Sequence, residues 1–127
     1  MNRSRCVVSS VWVLAATTSP SWAVVPTQEE IGLAQEWSAA RFGDEQKPPS
    51  TEPPFTFTYD GRPSTEILET WKAERRTRAL DEARTERIMV FTDPNTGLEL
   101  SCRAVEYRSF PTVEWVVHFK NTGQKDT

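Results

Sequence analysis

Histidine, cysteine and glycine are scarce in this chain, and their scarcity removes most catalytic chemistry at once. Among 127 residues there is one histidine, His118, and there are two cysteines, Cys6 and Cys102. That is too few for the usual zinc-ligand spacings or for most Cys/His nucleophile arrangements. The five glycines, at 32, 43, 61, 97 and 123, lie far apart and read as turns or stops rather than as a phosphate loop. No G-x-S-x-G nucleophile elbow occurs. Excess positive charge is also missing: the net charge is −3, so no electrostatic footprint for nucleic acid is expected. Nor is any apolar run near the roughly 20 residues that a membrane span requires.

What the N-terminus does have is a short export pattern. Arg3 and Arg5 form a basic start, Cys6 to Thr17 is mostly apolar, and Ser21-Trp22-Ala23 ends in small residues where a signal peptidase would need them. Residues 1–23 therefore read as a signal peptide cut after Ala23, in preference to an uncleaved anchor. Cleavage removes two arginines and no acidic residue, so 104 residues would remain with a net charge of −5. Cys6 would leave with the signal, and Cys102 would have no disulfide partner in the chain. The expected location is periplasmic or extracellular, with no membrane association after cleavage. A domain of this size without a disulfide relies on its core alone and has little margin of stability.

Beyond Ala23 the chain divides into a helix, a linker and a run of strands. Thr27-Gln28-Glu29-Glu30 is a capping box, followed by Ile31, Ala34, Trp37 and Ala40 or Arg41 at helical spacing and by Gly43 as a stop. This predicts a helix over 28–42 within segment 24–43. Its narrow stripe suits packing on a surface, either on the sheet or on a domain outside this chain. Residues 44–54 carry four prolines and several charges and read as an extended linker. The remainder, 55–127, reads as part of a β-sandwich domain.

Phe55, Phe57 and Tyr59 alternate with Thr56, Thr58 and Asp60, a strand closed by Asp60-Gly61. RIMVFT (87–92) is apolar on both sides, as in a strand lying between two layers. Asp93 to Gly97 supply a tight turn. Residues 98–107 then place Leu98, Leu100, Cys102 and Ala104 on one face, and the phase switch at Val105 and Tyr107 predicts a bulge. Val113, Trp115, Val117 and Phe119 alternate with polar residues in a strand over 112–120, completing a meander of three. The turn Asn121-Thr122-Gly123 follows it, where a further partner strand is expected. Residues 65–86 are ambiguous: their composition favours a helix with Leu68, Trp71, Ala79 and Ala83 on one face, but Arg75 interrupts that face.

Few residues invite a functional reading. His118 lies on the polar face of its strand, where a solvated or hydrogen-bonded histidine is the simpler account. Paired carboxylates hydrolyse glycosides, yet Glu66, Glu69, Glu74, Asp81, Glu82 and Glu86 are interleaved with arginines, the pattern of a charge-balanced surface. The run KAERRTR (72–78) could bind an anion, but a solvated face is the simpler account. Trp115 shares a face with Val113, Val117 and Phe119 and reads as core. Trp71 stands among charges and is the one candidate for contact with a sugar ring. No catalytic, cofactor or metal residue is assigned, and no cofactor is expected.

The order of motifs nevertheless resembles a known family. A helix opening PTQEE, a proline-rich linker, FTFTYDGRPSTEIL, a tryptophan followed by charges, then FTDPNTGLELSCRAVEY and FPTVEWVVHFKNTG are similar to the N-terminal region of secreted bacterial α-galactosidases, the melibiases of glycoside hydrolase family 36. The likeness runs from about Pro26 to Thr127, and TDPxTGLE and FPxVEWxxxFKNTG are its most specific pieces. It implies a mainly β fold, an antiparallel β-sandwich forming part of a supersandwich, preceded by a short N-terminal α-helix. In such enzymes a (β/α)8 barrel carries two catalytic aspartates and releases terminal α-linked galactose with retention. None of that barrel is present here, so no catalytic residue carries over and the chain alone is expected to be inactive. The resemblance also replaces the helix at 65–86 with a short turn or helix near 64–70 and strands at 71–79 and 86–92. The whole is expected to be a truncated, non-catalytic domain whose carbohydrate partner, an α-galactoside, is met through the full-length enzyme. An open sheet edge would invite association with a further copy or another partner. The alternative is a stand-alone secreted module that binds carbohydrate or protein.

Overall fold

Helix α1 spans Gln28–Phe42 because both of its ends are written locally. The Glu30 amide donates to Thr27 Oγ1 at 3.2 Å and the Thr27 amide donates to Glu30 Oε2 at 2.8 Å, closing the capping box. Gly43 ends the helix, its amide donating to the Ala39 carbonyl at 3.0 Å. The computed structural model describes residues 24–124. The signal-peptide reading of 1–23 and the last three positions lie outside the described residues.

The proline-rich segment does more than span a gap. The amides of Ser50 and Thr51 both donate to the Ala40 carbonyl at 3.1 Å, and Arg41 donates to the Glu52 carbonyl at 2.8 Å. The segment thus turns back and satisfies a carbonyl of the last helical turn, which has no partner within the helix. Its prolines need no amide partner and keep the path extended. Of the two packings that the sequence leaves open for α1, the structure has the helix on the sheet: Phe42 belongs to the core, and Arg87 donates to the Gly43 carbonyl at 3.0 Å. The buried helical positions are Ile31, Ser38 and Phe42. Trp37 stays half-exposed at the rim, so the face turned inward is offset from the expected Ile31–Trp37 stripe.

After the linker, strands β1 (Thr58–Tyr59) and β2 (Arg62–Pro63) form a minimal ribbon. Asp60 and Gly61 take positive φ of 50° and 72°, the geometry of a two-residue hairpin turn. A four-residue helix, α2 (Ser64–Ile67), and a 3-10 turn (Leu68–Thr70) then lead into the sheet. Its strands are β3 (Lys72–Ala79), β4 (Arg84–Thr92), β5 (Leu98–Tyr107) and β6 (Val113–Asn121). They form an antiparallel meander in the order β3-β4-β5-β6. The helix favoured by composition at 65–86 gives way to a strand that pairs along its whole length with β4. Lys72 and Arg76 flank Glu74 at 2.9 and 3.6 Å, and Arg78 pairs across the sheet with Glu86.

The register is unbroken along both β4–β5 and β5–β6, so the bulge expected near Val105 does not form. Glu106 instead takes the next inward place after Ala104 and is buried, with Arg87 on the adjacent strand at 3.5 Å. The partnered charge continues the inward face where an apolar residue would otherwise be required. Val105 and Tyr107 simply belong to the opposite face.

That inward face carries the core. Met89, Phe91, Leu98, Leu100, Cys102 and Ala104 are buried against Phe42, Ile67 and Trp71, with Phe55, Phe57 and Tyr59 packed at the margin. Leu100 has no exposed surface, and burying a side chain of that size contributes about 1.5–3 kcal/mol. The architecture is mainly β and sandwich-like: an antiparallel four-stranded sheet layered on one face by the helix and the ribbon segment. On the other face Ile88 and Val90 are half-buried. No second layer covers them among the described residues; Ile88 instead lies between Arg76 and Arg103 on the flanking strands, whose stems can shield it. The inward face of β6 is also less covered than its alternation suggests. Trp115 is 42 % and Phe119 52 % exposed, because β6 is an edge strand and the helix reaches only part of it.

Candidate functional site

Trp71, the candidate for sugar contact, sits where the 3-10 turn hands over to β3 and is only 7 % exposed. Its ring meets Phe57 at 6.1 Å and Tyr59 edge-on at 6.1 Å. The local sequence explains the placement. The Ser64 amide donates to the Phe57 carbonyl at 2.8 Å, and the Phe57 amide donates to Ser64 Oγ at 3.2 Å. These bonds double the ribbon back so that its aromatics fall on Trp71. Thr70 Oγ1 donates to the Ile67 carbonyl at 2.7 Å and tightens the turn that aims the indole inward.

What remains of Trp71 borders an open cleft of about 580 Å³, shared with Tyr59, Asp60, Arg62, Thr70, Asp93, Asn95 and Thr96. One wall is the β4–β5 turn, held by Asp93. Asp93 Oδ1 accepts the Asn95 amide at 2.9 Å, and Oδ2 accepts the Thr96 hydroxyl at 2.7 Å. Tyr59 donates its hydroxyl to Thr96 Oγ1 at 3.2 Å and ties the ribbon to that turn. Asp93 is therefore a structural carboxylate with both oxygens in use. The cleft brings together aromatic edge, amide, guanidinium and carboxylate groups.

The same geometry offers little to acid–base chemistry. A glycosidase acid requires a carboxyl raised toward neutrality. Every carboxyl group among the described residues with a displaced ionisation is displaced downward. Glu30 and Asp44 are lowered by backbone amides, Glu74 by hydrogen bonding to Lys72, and Asp81 by hydrogen bonding to Arg84. His118 is exposed on the face away from the core, in register with Ser101. Among the described residues no group of three or more metal-ligating side chains occurs. No helix among them is long and apolar enough to cross a membrane.

The charged segment that the sequence presents as one solvated face is in fact split by the strand period. Lys72, Glu74, Arg76 and Arg78 point to the outer face, where Glu86, only 5 % exposed, lies between Arg78 and Arg103. Arg75 points the other way, toward the layer that holds the core. In the sequence it is visible only as the interruption of a helical face of Leu68, Trp71, Ala79 and Ala83, a face that the strand does not form. Trp71 and Tyr59 are brought together; Asp93 and Asn95 join them only because β4 and β5 turn beside the ribbon. Comparison with family models, with curated proteins and with solved structures finds no match for this chain.

Proposed function

We propose that this chain is an N-terminal, non-catalytic sandwich portion of an exported α-galactosidase-like glycoside hydrolase acting on α-galactosides. One observation carries the reading beyond the motif likeness. The two most specific pieces, TDPxTGLE and FPxVEWxxxFKNTG, flank β5 and meet at Gly97 and Gly123. Thr122 donates to the Gly97 carbonyl through its amide at 2.9 Å and through its hydroxyl at 2.6 Å. A methyl group on Gly97 would lie 2.7 Å from the Gly123 nitrogen. Motifs held together by backbone contact behave as one structural unit, which is what a scaffold domain needs.

In this role the chain supports an active site that it does not contain. The Ile88–Val90 face and the outer edge of β6 are the surfaces through which it would join the rest of the enzyme or another copy. The test is to read the coding sequence past the Thr127 codon. A continuing frame, or a shifted one, that encodes further strands and a barrel with two catalytic aspartates supports the proposal. A stop with no barrel downstream removes it.

A second reading is favoured by the cleft at Trp71: a stand-alone secreted module that binds carbohydrate. It requires soluble, monomeric protein with a cooperative melt, and α-galactoside titrations that shift the indole signal of Trp71. A scaffold fragment would self-associate and leave that signal unchanged.

A further inference from the structure

Arg75 lies on the inward face of β3, opposite Met89. Its guanidinium carbon is 5.9 Å from the centre of the Phe91 ring. Its Nε is out of contact with water and has no hydrogen-bond partner, and no carboxylate of the described residues lies within ion-pair distance. Every other arginine of the sheet has a carboxylate within ion-pair distance or a carbonyl partner; Arg87, whose Nε also lacks a hydrogen bond, has Glu106 at 3.5 Å and donates to the Gly43 carbonyl. Burying part of a guanidinium without pairing it has a cost, and contact with an aromatic face offsets only part of that cost. A well-packed apolar residue at this position would avoid the cost altogether.

Arg75 lines an open cleft of about 440 Å³, separate in its lining from the one at Trp71. Phe55, Leu68 and Phe91 give it apolar lining, and Thr65, Glu52 and Glu69 also line it. The returning linker forms one side, which is why the chain's extended proline path matters here. A planar fork of donors against an aromatic floor is suited to a carboxylate taken bidentately. The two bordering glutamates oppose a dianion such as phosphate more strongly than a monoanion.

We propose that this cleft binds a small organic carboxylate, with Arg75 taking the carboxylate and Phe55, Leu68 and Phe91 holding its apolar body. The site is independent of any role in glycoside hydrolysis. It gives the unpaired arginine the partner that the fold withholds.

The test is titration of the full chain with benzoate, benzamide and inorganic phosphate, followed by amide chemical shifts. Benzoate is expected to bind at least tenfold more tightly than its neutral isostere benzamide and more tightly than phosphate, with shifts centred on Thr65, Leu68 and Phe91. Arg75→Met is expected to abolish the preference for benzoate while melting no lower than the parent, because it removes an unpaired, partly buried cation. Glu69→Gln is expected to strengthen benzoate binding and keeps the proposal testable should Arg75→Met fail to fold. Equal affinity for benzoate and benzamide, tighter binding of phosphate, or shifts centred on Trp71 would each overturn the assignment. So would a benzoate preference that survives Arg75→Met.

Discussion

Replacing Gly97 by alanine isolates the contact that joins the two motif segments. Gly97 has φ of +77°, and an added methyl would meet the Gly123 nitrogen at 2.7 Å and its Cα at 2.8 Å, both backbone atoms with no side-chain freedom to give way. Holding an L-residue in the left-handed region costs about 1–2 kcal/mol. Relieving the overlap pushes Thr122 and Gly123 away and breaks the two bonds from Thr122 to the Gly97 carbonyl, at about 1 kcal/mol each. The expected loss is about 3–4 kcal/mol, a large part of the stability of a domain this small. Gly61→Ala is the matched control: its φ is +72° but nothing lies within 4 Å of the added methyl. Only the backbone term remains there, about 1–2 kcal/mol. At about 4–8 °C per kcal/mol, thermal melts followed by far-ultraviolet circular dichroism should drop two to three times further for Gly97→Ala than for Gly61→Ala. Equal drops would refute the argument that the turn and the β6 terminus are locked by contact rather than by conformation alone.

Three further outcomes follow from the packing. Burial pushes the Cys102 thiol up to about 12; a group held neutral by the fold contributes stability that is intact at lower pH and is lost as pH rises from the free-thiol range of about 9 toward 12. Denaturant midpoints of the parent should therefore fall more between pH 8 and pH 10 than those of Cys102→Ala, and parallel midpoints would exclude the effect. Trp71→Ala should cost about 3–5 kcal/mol as a core truncation, whereas Trp115→Ala, at the rim with Trp37 at 5.6 Å, should cost about 1–1.5 kcal/mol; the reverse order in urea unfolding would mean that the core is misassigned. Thr27→Ala should cost about 1 kcal/mol through loss of the helix cap. Because backbone and hydroxyl bonds from Thr27 lower the Glu30 carboxyl, the parent should also lose this support as pH falls through the carboxylate range, and helix content that is flat with pH would contradict it.

The sequence by itself determined the features that depend on neighbours along the chain. The capping box at Thr27 and the stop at Gly43 set the helix to 28–42, since both act within one turn. The Asp60-Gly61 and Asp93–Gly97 turns were legible because they need particular backbone angles that few residues supply. The alternation in 98–104 and 113–119 assigned each strand its inward face. The choice between helix and strand at 65–86 was beyond composition, because it is made by the pairing of β3 with β4 along its length, which no local window contains. Only the tertiary structure decided where the proline segment goes, since its bonds are to the end of a helix that precedes it. It also decided that Glu106 continues an inward face without a bulge, because Arg87 lies beside it on the next strand. The same holds for the candidate sites. Trp71 was visible as a residue but not as a cleft, whose wall is a turn more than twenty residues away in sequence. Arg75 was visible as an interruption, and only the strand period and the returning linker placed it, unpaired, at the floor of a second cleft.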